Sequence, residues 1–302
     1  MEILHQLMQN CTLCPRNCGV DRTAGDAGYC GAPADIRIAR AALHMWEEPC
    51  LVGASGSGTV FFSGCNMKCL FCQNHNIAIG QTGKSITIDR LAEIFLELQE
   101  KGATNINLVT PTHYIPQIRK ALLLAKSQGL TLPIVYNTGN YEKAESLKLL
   151  EGLIDIYLPD FKYFSALLSK SYSFAADYFS YAANALEEMY RQTGPCSFHE
   201  KGMLQRGIIV RHLILPGQVK DSKKILHYLY DTYGNNIWIS IMNQYTPMPH
   251  VSHIPELNQP LSRDEYDRVV DYAIRLGIEN AFIQEGETAL ESFIPPFDLE
   301  GV

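Results

Sequence analysis

The sequence predicts an α/β chain: a full or partial (β/α) TIM-type barrel behind a cysteine-rich, mostly irregular N-terminal extension. Three observations carry this expectation. From residue 59 onward, short β-branched and aromatic runs alternate six or seven times with segments whose apolar residues recur at helical spacing. Such alternation implies βαβ units and a parallel sheet, and its length suits a barrel better than a short dinucleotide-binding unit. Eight of the nine cysteines fall in the first 72 residues, which sets that region apart. The division expected is 1–55 for the extension and 56–302 for the barrel domain.

The elements follow in order. Residues 1–55 hold turn formers (Pro15, Gly19, Gly25, Gly28, Gly31, Pro33) between cysteines, and 53–58 (Gly-Ala-Ser-Gly-Ser-Gly) reads as a flexible entry. Strand candidates are 59–63, 105–110, 133–136, 153–158, 207–214, 237–241 and 281–284. Between them, helices are expected at 88–101, 115–129, 141–150, 175–192, 222–232 and 262–276. The first has Leu91, Ile94, Phe95 and Leu98 on one face, Asp89 in its first turn and Gly102 just past its end.

Composition narrows function. Hydrophobic residues at 46% and charged residues at 19% are those of a globular chain. A net charge of −7 gives no support to nucleic-acid or polybasic membrane binding. No run of 18 apolar residues marks a membrane span, and Met1-Glu2-Ile3-Leu4-His5 lacks the charge and apolar pattern of an export signal. A reducing, cytoplasmic setting is therefore expected, where crowded cysteines bind metal or do redox chemistry more often than they pair.

The cysteines form two sets. Cys65, Cys69 and Cys72 make a CxxxCxxC triplet that begins just after a strand, at the end where barrel enzymes build their sites. Three thiolates can hold three irons of a 4Fe–4S cube, leaving one iron open; zinc with His75 as fourth ligand is the alternative that spacing allows. Cys11, Cys14, Cys18 and Cys30 have metal-like spacing for zinc or a second iron–sulfur cluster, with four unliganded thiols as the plain reading. Cys50 and Cys196 read as ordinary thiols.

The segment from Phe62 to Asn74, Phe-Ser-Gly-Cys-Asn-Met-Lys-Cys-Leu-Phe-Cys-Gln-Asn, resembles the signature of the radical S-adenosylmethionine (SAM) superfamily. More closely, the chain is similar to the pyruvate formate-lyase activating enzyme-like branch. Residues 105–114, 208–217 and 243–247 look typical of that branch. The resemblance implies that SAM chelates the open iron and is cleaved by one electron to methionine and a 5′-deoxyadenosyl radical. That radical takes hydrogen from a substrate, either a glycyl-radical protein or a small molecule. A flavodoxin- or ferredoxin-type donor is implied as partner. The rival class is a non-catalytic iron–sulfur or zinc protein using the same thiols.

One departure stands out. Many members carry a Gly-Gly-Glu-type segment after the second strand, against the SAM amino group; here the place holds Thr110-Pro111-Thr112-His113. A modified SAM pocket is expected, with Thr110 contributing. Asn74, Asn137 and Lys162 complete the implied cofactor-binding set, Lys162 belonging to an Asp160-x-Lys162 pattern like that of the activating enzymes. Arg211 and His212 are adjacent on a strand, so only one faces the interior; His212 is the residue expected there. His113 is a candidate acid/base group and Gln284, Glu285 and Glu287 are candidates at the mouth; the plain readings are a structural histidine and a solvated turn.

Overall fold

Helix α1 (Glu2–Gln9), strand β1 (Ile36–His44), helix α2 (Pro49–Val52) and strand β2 (Ser57–Phe62) open the computed structural model, which describes residues 2–284 and 295–302. There follow α3 (His75–Ala78), β3 (Lys84–Ile86), α4 (Ile88–Glu100), β4 (Ile106–Val109), α5 (Ile115–Ser127), β5 (Ile134–Thr138) and α6 (Ala144–Leu147). The chain continues through β6 (Ile156–Pro159), α7 (Ala166–Ser173), α8 (Tyr178–Thr193), β7 (Ser197–Phe198), β8 (Leu204–Leu213), α9 (Val219–Tyr233), β9 (Trp238–Met242), α10 (Arg263–Leu276) and β10 (Ala281–Ile283).

The strands form one sheet in the order β10-β9-β8-β6-β5-β4-β2-β1-β3, with β7 against β8. From β2 through β10 along this path the pairing is parallel, while β1 and β3 are antiparallel additions. The two ends do not meet, so the sheet is a partial barrel. Register puts like faces side by side: Thr59, Asn107, Val135 and Ile156 form one rung, and Phe61, Val109, Asn137 and Leu158 the next. Because side chains alternate along a strand, these rungs line the concave face. Val135, Ile156, Leu158 and Ile209 pack there with Cys50 and Leu51 of α2 as an apolar floor. The opposite residues, such as Leu108, Tyr136, Tyr157 and Val210, pack against the helices with Phe95, Ile118, Leu186 and Leu226.

The extension is less irregular than expected. Ile36–His44 is a nine-residue strand paired with β2, with a shift of register between Ile38 and Arg40. Its three alanines have little strand propensity, so pairing and burial on both faces make it a strand. Leu299 and Ala41 donate backbone hydrogen bonds to Ala39 (3.1 Å) and Glu300 (2.8 Å), tying the end of the chain to the same strand. The helix expected at 141–150 is a single turn, α6, continued by a 3₁₀ turn at Lys148–Leu150. Ala166–Ser173, not expected as a helix, is one, capped by the Ser165 hydroxyl.

Gly64 joins β2 to the cysteine loop at φ +97°, and a Cβ there would lie 2.9 Å from the carbonyl oxygen of Cys30. Gly64→Ala should therefore destabilise the fold by at least about 1–2 kcal/mol, read as a lowered urea midpoint. An unchanged midpoint would show that the loop and the extension are not packed in this way.

Candidate active site

The three cysteines of the triplet sit on the loop that leaves β2, at the C-terminal edge of the sheet. Gly64 N donates to Ile77 O (2.7 Å), Leu70 N to Tyr172 O (2.8 Å) and Cys72 N to Cys69 O (3.1 Å), so the loop is pinned by its own backbone. The Asn66 side chain donates to Tyr141 O (2.7 Å), and the Phe71 ring lies between Tyr163 and Tyr245 at 6.4 and 6.3 Å. All three cysteines are free thiols and Cys69 is buried. Burial pushes the Cys65 and Cys72 thiols up; neighbouring sulfurs add to this and the Lys162 ammonium opposes it. Thiols so placed become thiolates when a metal supplies the counter-charge.

Among the described residues no three Cys, His, Asp or Glu side chains converge on a single ion. A four-iron cube takes three thiolates and leaves its fourth iron without one, which is the donor set that the triplet offers. His75, the fourth ligand a zinc site would need, stacks on His250 with centroids 4.2 Å apart.

Beside the triplet is a polar cleft, lined in part by Cys69, Cys72, Asn74, Asn137 and Lys162. Four charged groups cross it. Arg211 Nε donates to Asp160 Oδ1 (2.8 Å), Nη1 to Glu47 Oε2 (3.0 Å) and Nη2 to Asn137 Oδ1 (2.7 Å). Lys162 Nζ donates to the other Asp160 oxygen (2.7 Å), and Asn107 Nδ2 to Glu47 Oε1 (3.0 Å). Burial would raise the Asp160 carboxyl, but Arg211 and Lys162 hold it below its ordinary value. Burial would lower Lys162, but Asp160 and Cys69 push it up, so its ammonium persists beside the thiols. For Glu47 burial wins and its carboxyl is raised, although Arg211 opposes the shift.

Three of the five expected cofactor-binding residues, Asn74, Asn137 and Lys162, thus meet in one cleft with Cys69 and Cys72. His212 does not. Alternation places Arg211 on the concave face and His212 on the helix-facing one, in line with Ile208, Val210 and Ile214 of the outer core. Its Nδ1 bonds to Phe161 O at 2.7 Å, and burial lowers its pKa to about 4, keeping it neutral. Arg211 takes the place expected for it. His113 is also structural: it is buried, with Nε2 2.9 Å from Ser63 O. Gln284 accepts from Asn243 N (2.8 Å); Glu285 and Glu287 lie outside the described residues.

Glu47, His44 and Trp46 line the cleft from the extension and were not anticipated. The available signal was the alternation of 36–44: read as a strand, it delivers 45–48 to the sheet's mouth.

Val109 lines the cleft while Thr110 turns away with φ +57°. A β-branched residue in the left-handed region is strained, and this is where the family pattern has glycine. The backbone turn survives the loss of the glycine that would favour it. Thr110→Gly should stabilise the protein by a few tenths to about 1 kcal/mol, the relief of strain exceeding the entropy cost of glycine. Thermal unfolding measures it; a loss of more than about 1 kcal/mol would show that the threonine side chain holds the turn.

The Radical SAM superfamily model matches residues 59–229, which is 171 of the 302 residues. The chain is 27% identical over 289 residues to the uncharacterized protein MJ0674 of Methanocaldococcus jannaschii, covering 92% of this chain and 78% of that one. Among solved structures, it is similar to a radical SAM methyltransferase from Sphaerobacter thermophilus (TM-score 0.52, 15% identity, 76% of this chain and 66% of that one). It is also similar to Streptococcus suis SuiB bound to the precursor peptide SuiA (TM-score 0.51, 12% identity, 74% and 47%). The chain spans about half to two thirds of the length of these two structures, and at such identities the likeness concerns the fold. With the family model covering more than half of the chain, the protein belongs to the radical SAM superfamily.

Proposed function

We propose that this chain is a radical SAM enzyme of the pyruvate formate-lyase activating enzyme-like branch, acting on a protein substrate of the glycyl-radical kind. The observation that carries the reading is the sharing of one cleft by Cys69 and Cys72 of the triplet and the Asp160–Lys162–Arg211 charge network. When bound, a 4Fe–4S cluster with SAM supplies one-electron cleavage of the sulfonium, giving methionine and a 5′-deoxyadenosyl radical that takes a hydrogen atom from the substrate.

The chain's own residues do the rest. Cys65, Cys69 and Cys72 would hold three of the cluster's irons. Lys162 offers a fixed cation to a carboxylate, with Asn74 and Asn137 as polar partners. Phe71, Leu213 and Met242 give the cleft apolar walls that keep water from reactive species. A chain-like substrate would find a foothold at Trp46, which is exposed and lines the cleft, next to the exposed Met45.

The electron is proposed to come from a small acidic flavodoxin- or ferredoxin-type donor. Lys220, Lys223 and Lys224 line a groove with Phe164 and Tyr272, a basic surface on a chain of net charge −7. Phe164 adjoins Tyr163, whose ring packs on Phe71 of the cysteine loop.

Anaerobic reconstitution with iron and sulfide, then reduction with SAM present, should yield 5′-deoxyadenosine from the wild type and at least about 100-fold less from Cys69→Ala. Equal product from both would overturn the assignment. With a flavodoxin donor, charge reversal of the three lysines to glutamate should slow product formation, and dithionite should restore it. If the two donors respond alike, the groove is not the docking site.

A further inference from the structure

We propose that Cys11, Cys14, Cys18 and Cys30 hold a second iron–sulfur cluster, seated against the loop that carries the triplet. Residues 10–31 fold as a closed thiol-lined loop. Cys11 N donates to Val20 O and Gly19 N to Cys11 O, both at 3.0 Å, which closes the segment carrying Cys14 and Cys18. Tyr29 N donates to Cys18 Sγ at 3.3 Å. Gly28 passes so close to Cys18 that a Cβ would lie 2.9 Å from its sulfur. Cys30 interacts electrostatically with Cys11, Cys18 and Cys14, and all four are free thiols.

A second observation points to an anionic occupant. Arg22 is 1% exposed, and its guanidinium donates only to two backbone carbonyls, His113 O and Pro33 O, both at 2.6 Å. Its Nε has no hydrogen-bond partner, and among the described residues no carboxylate pairs with it. A buried cation without a counter-charge is costly. Besides the Tyr114 ring, over which it lies at 5.4 Å, Arg22 acts electrostatically on the Cys30 thiol. Four thiolates on a cluster supply the negative charge that neutral thiols lack.

Iron–sulfur rather than zinc is inferred from the company the quartet keeps: it packs against a triplet loop that belongs to a cluster-binding family. The two loops also share a wall. Tyr29 OH donates to Met67 O (3.3 Å), and Arg16 donates to Asn66 O (2.8 Å) while lying over the Tyr29 ring at 4.0 Å. A cluster at the quartet therefore braces the triplet loop from behind.

The test does not depend on SAM turnover. The full chain with Cys65, Cys69 and Cys72 all changed to alanine, reconstituted anaerobically, should retain about four irons and four sulfides, against about eight of each in the wild type. Adding Cys18→Ser should remove them, together with the visible absorbance. If the triple variant does not fold, Cys18→Ser alone should halve the iron of the wild type. One zinc per chain with no iron, no metal in the triple variant, or iron indifferent to Cys18→Ser would each overturn the proposal. Iron indifferent to the triplet substitutions would instead count against the main site.

Discussion

Arg211 holds the mouth of the cleft together. Its guanidinium reaches Asp160 after β6, Asn137 on β5 and Glu47 from the segment after β1. In a closed barrel the hydrogen-bonded ring would fix the spacing of these elements. Here the sheet is open, and β1 is joined to β8 only through four intervening strands. The ionic tie spans that gap. Three satisfied donors make the cation tolerable at this depth, and removing one partner would leave the others buried and unpaired. The site therefore depends on charges that match one another before any ligand arrives, leaving Lys162 beside the thiols.

The same logic joins the extension to the main sheet. Arg16 bonds to Asn66 O of the triplet loop and to Ser173 O of α7. Lys143 Nζ donates to Thr12 O and to the Asn17 side chain, and Ser146 Oγ to Leu13 O. Polar side chains on both sides thus meet oxygens across the boundary, so the cysteine-rich loop is held by its neighbours as well as by its own hydrogen bonds. Its shape and that of the triplet loop are set jointly, with Gly64 packed against the Cys30 carbonyl.

Much of this was legible in the sequence. The alternation of strand and helix carried through because the central strands β2, β4, β5 and β6 are buried throughout and the helices on one face, so periodicity and burial agree there. The triplet was legible because three thiols at that spacing have few other uses. The reading failed where tertiary context outweighed local signal. The alanine-rich β1 is a strand because β2 and the chain end cover it, and without it Glu47 and Trp46 could not be placed at the cleft. The choice between Arg211 and His212 turned on strand phase, which the sequence leaves open by one residue. That single step exchanged a cleft-facing cation for a buried neutral imidazole. The strain at Thr110 is likewise invisible until the backbone is seen.

The central claim is that three thiolates leave one iron corner open to a ligand in the polar cleft. Electron paramagnetic resonance of the reduced, reconstituted protein with and without SAM tests it most directly. The account predicts that SAM shifts the cluster signal of the wild type, because the ligand binds the open iron itself. A signal that SAM leaves unchanged, in protein whose iron and sulfide are complete, would contradict it.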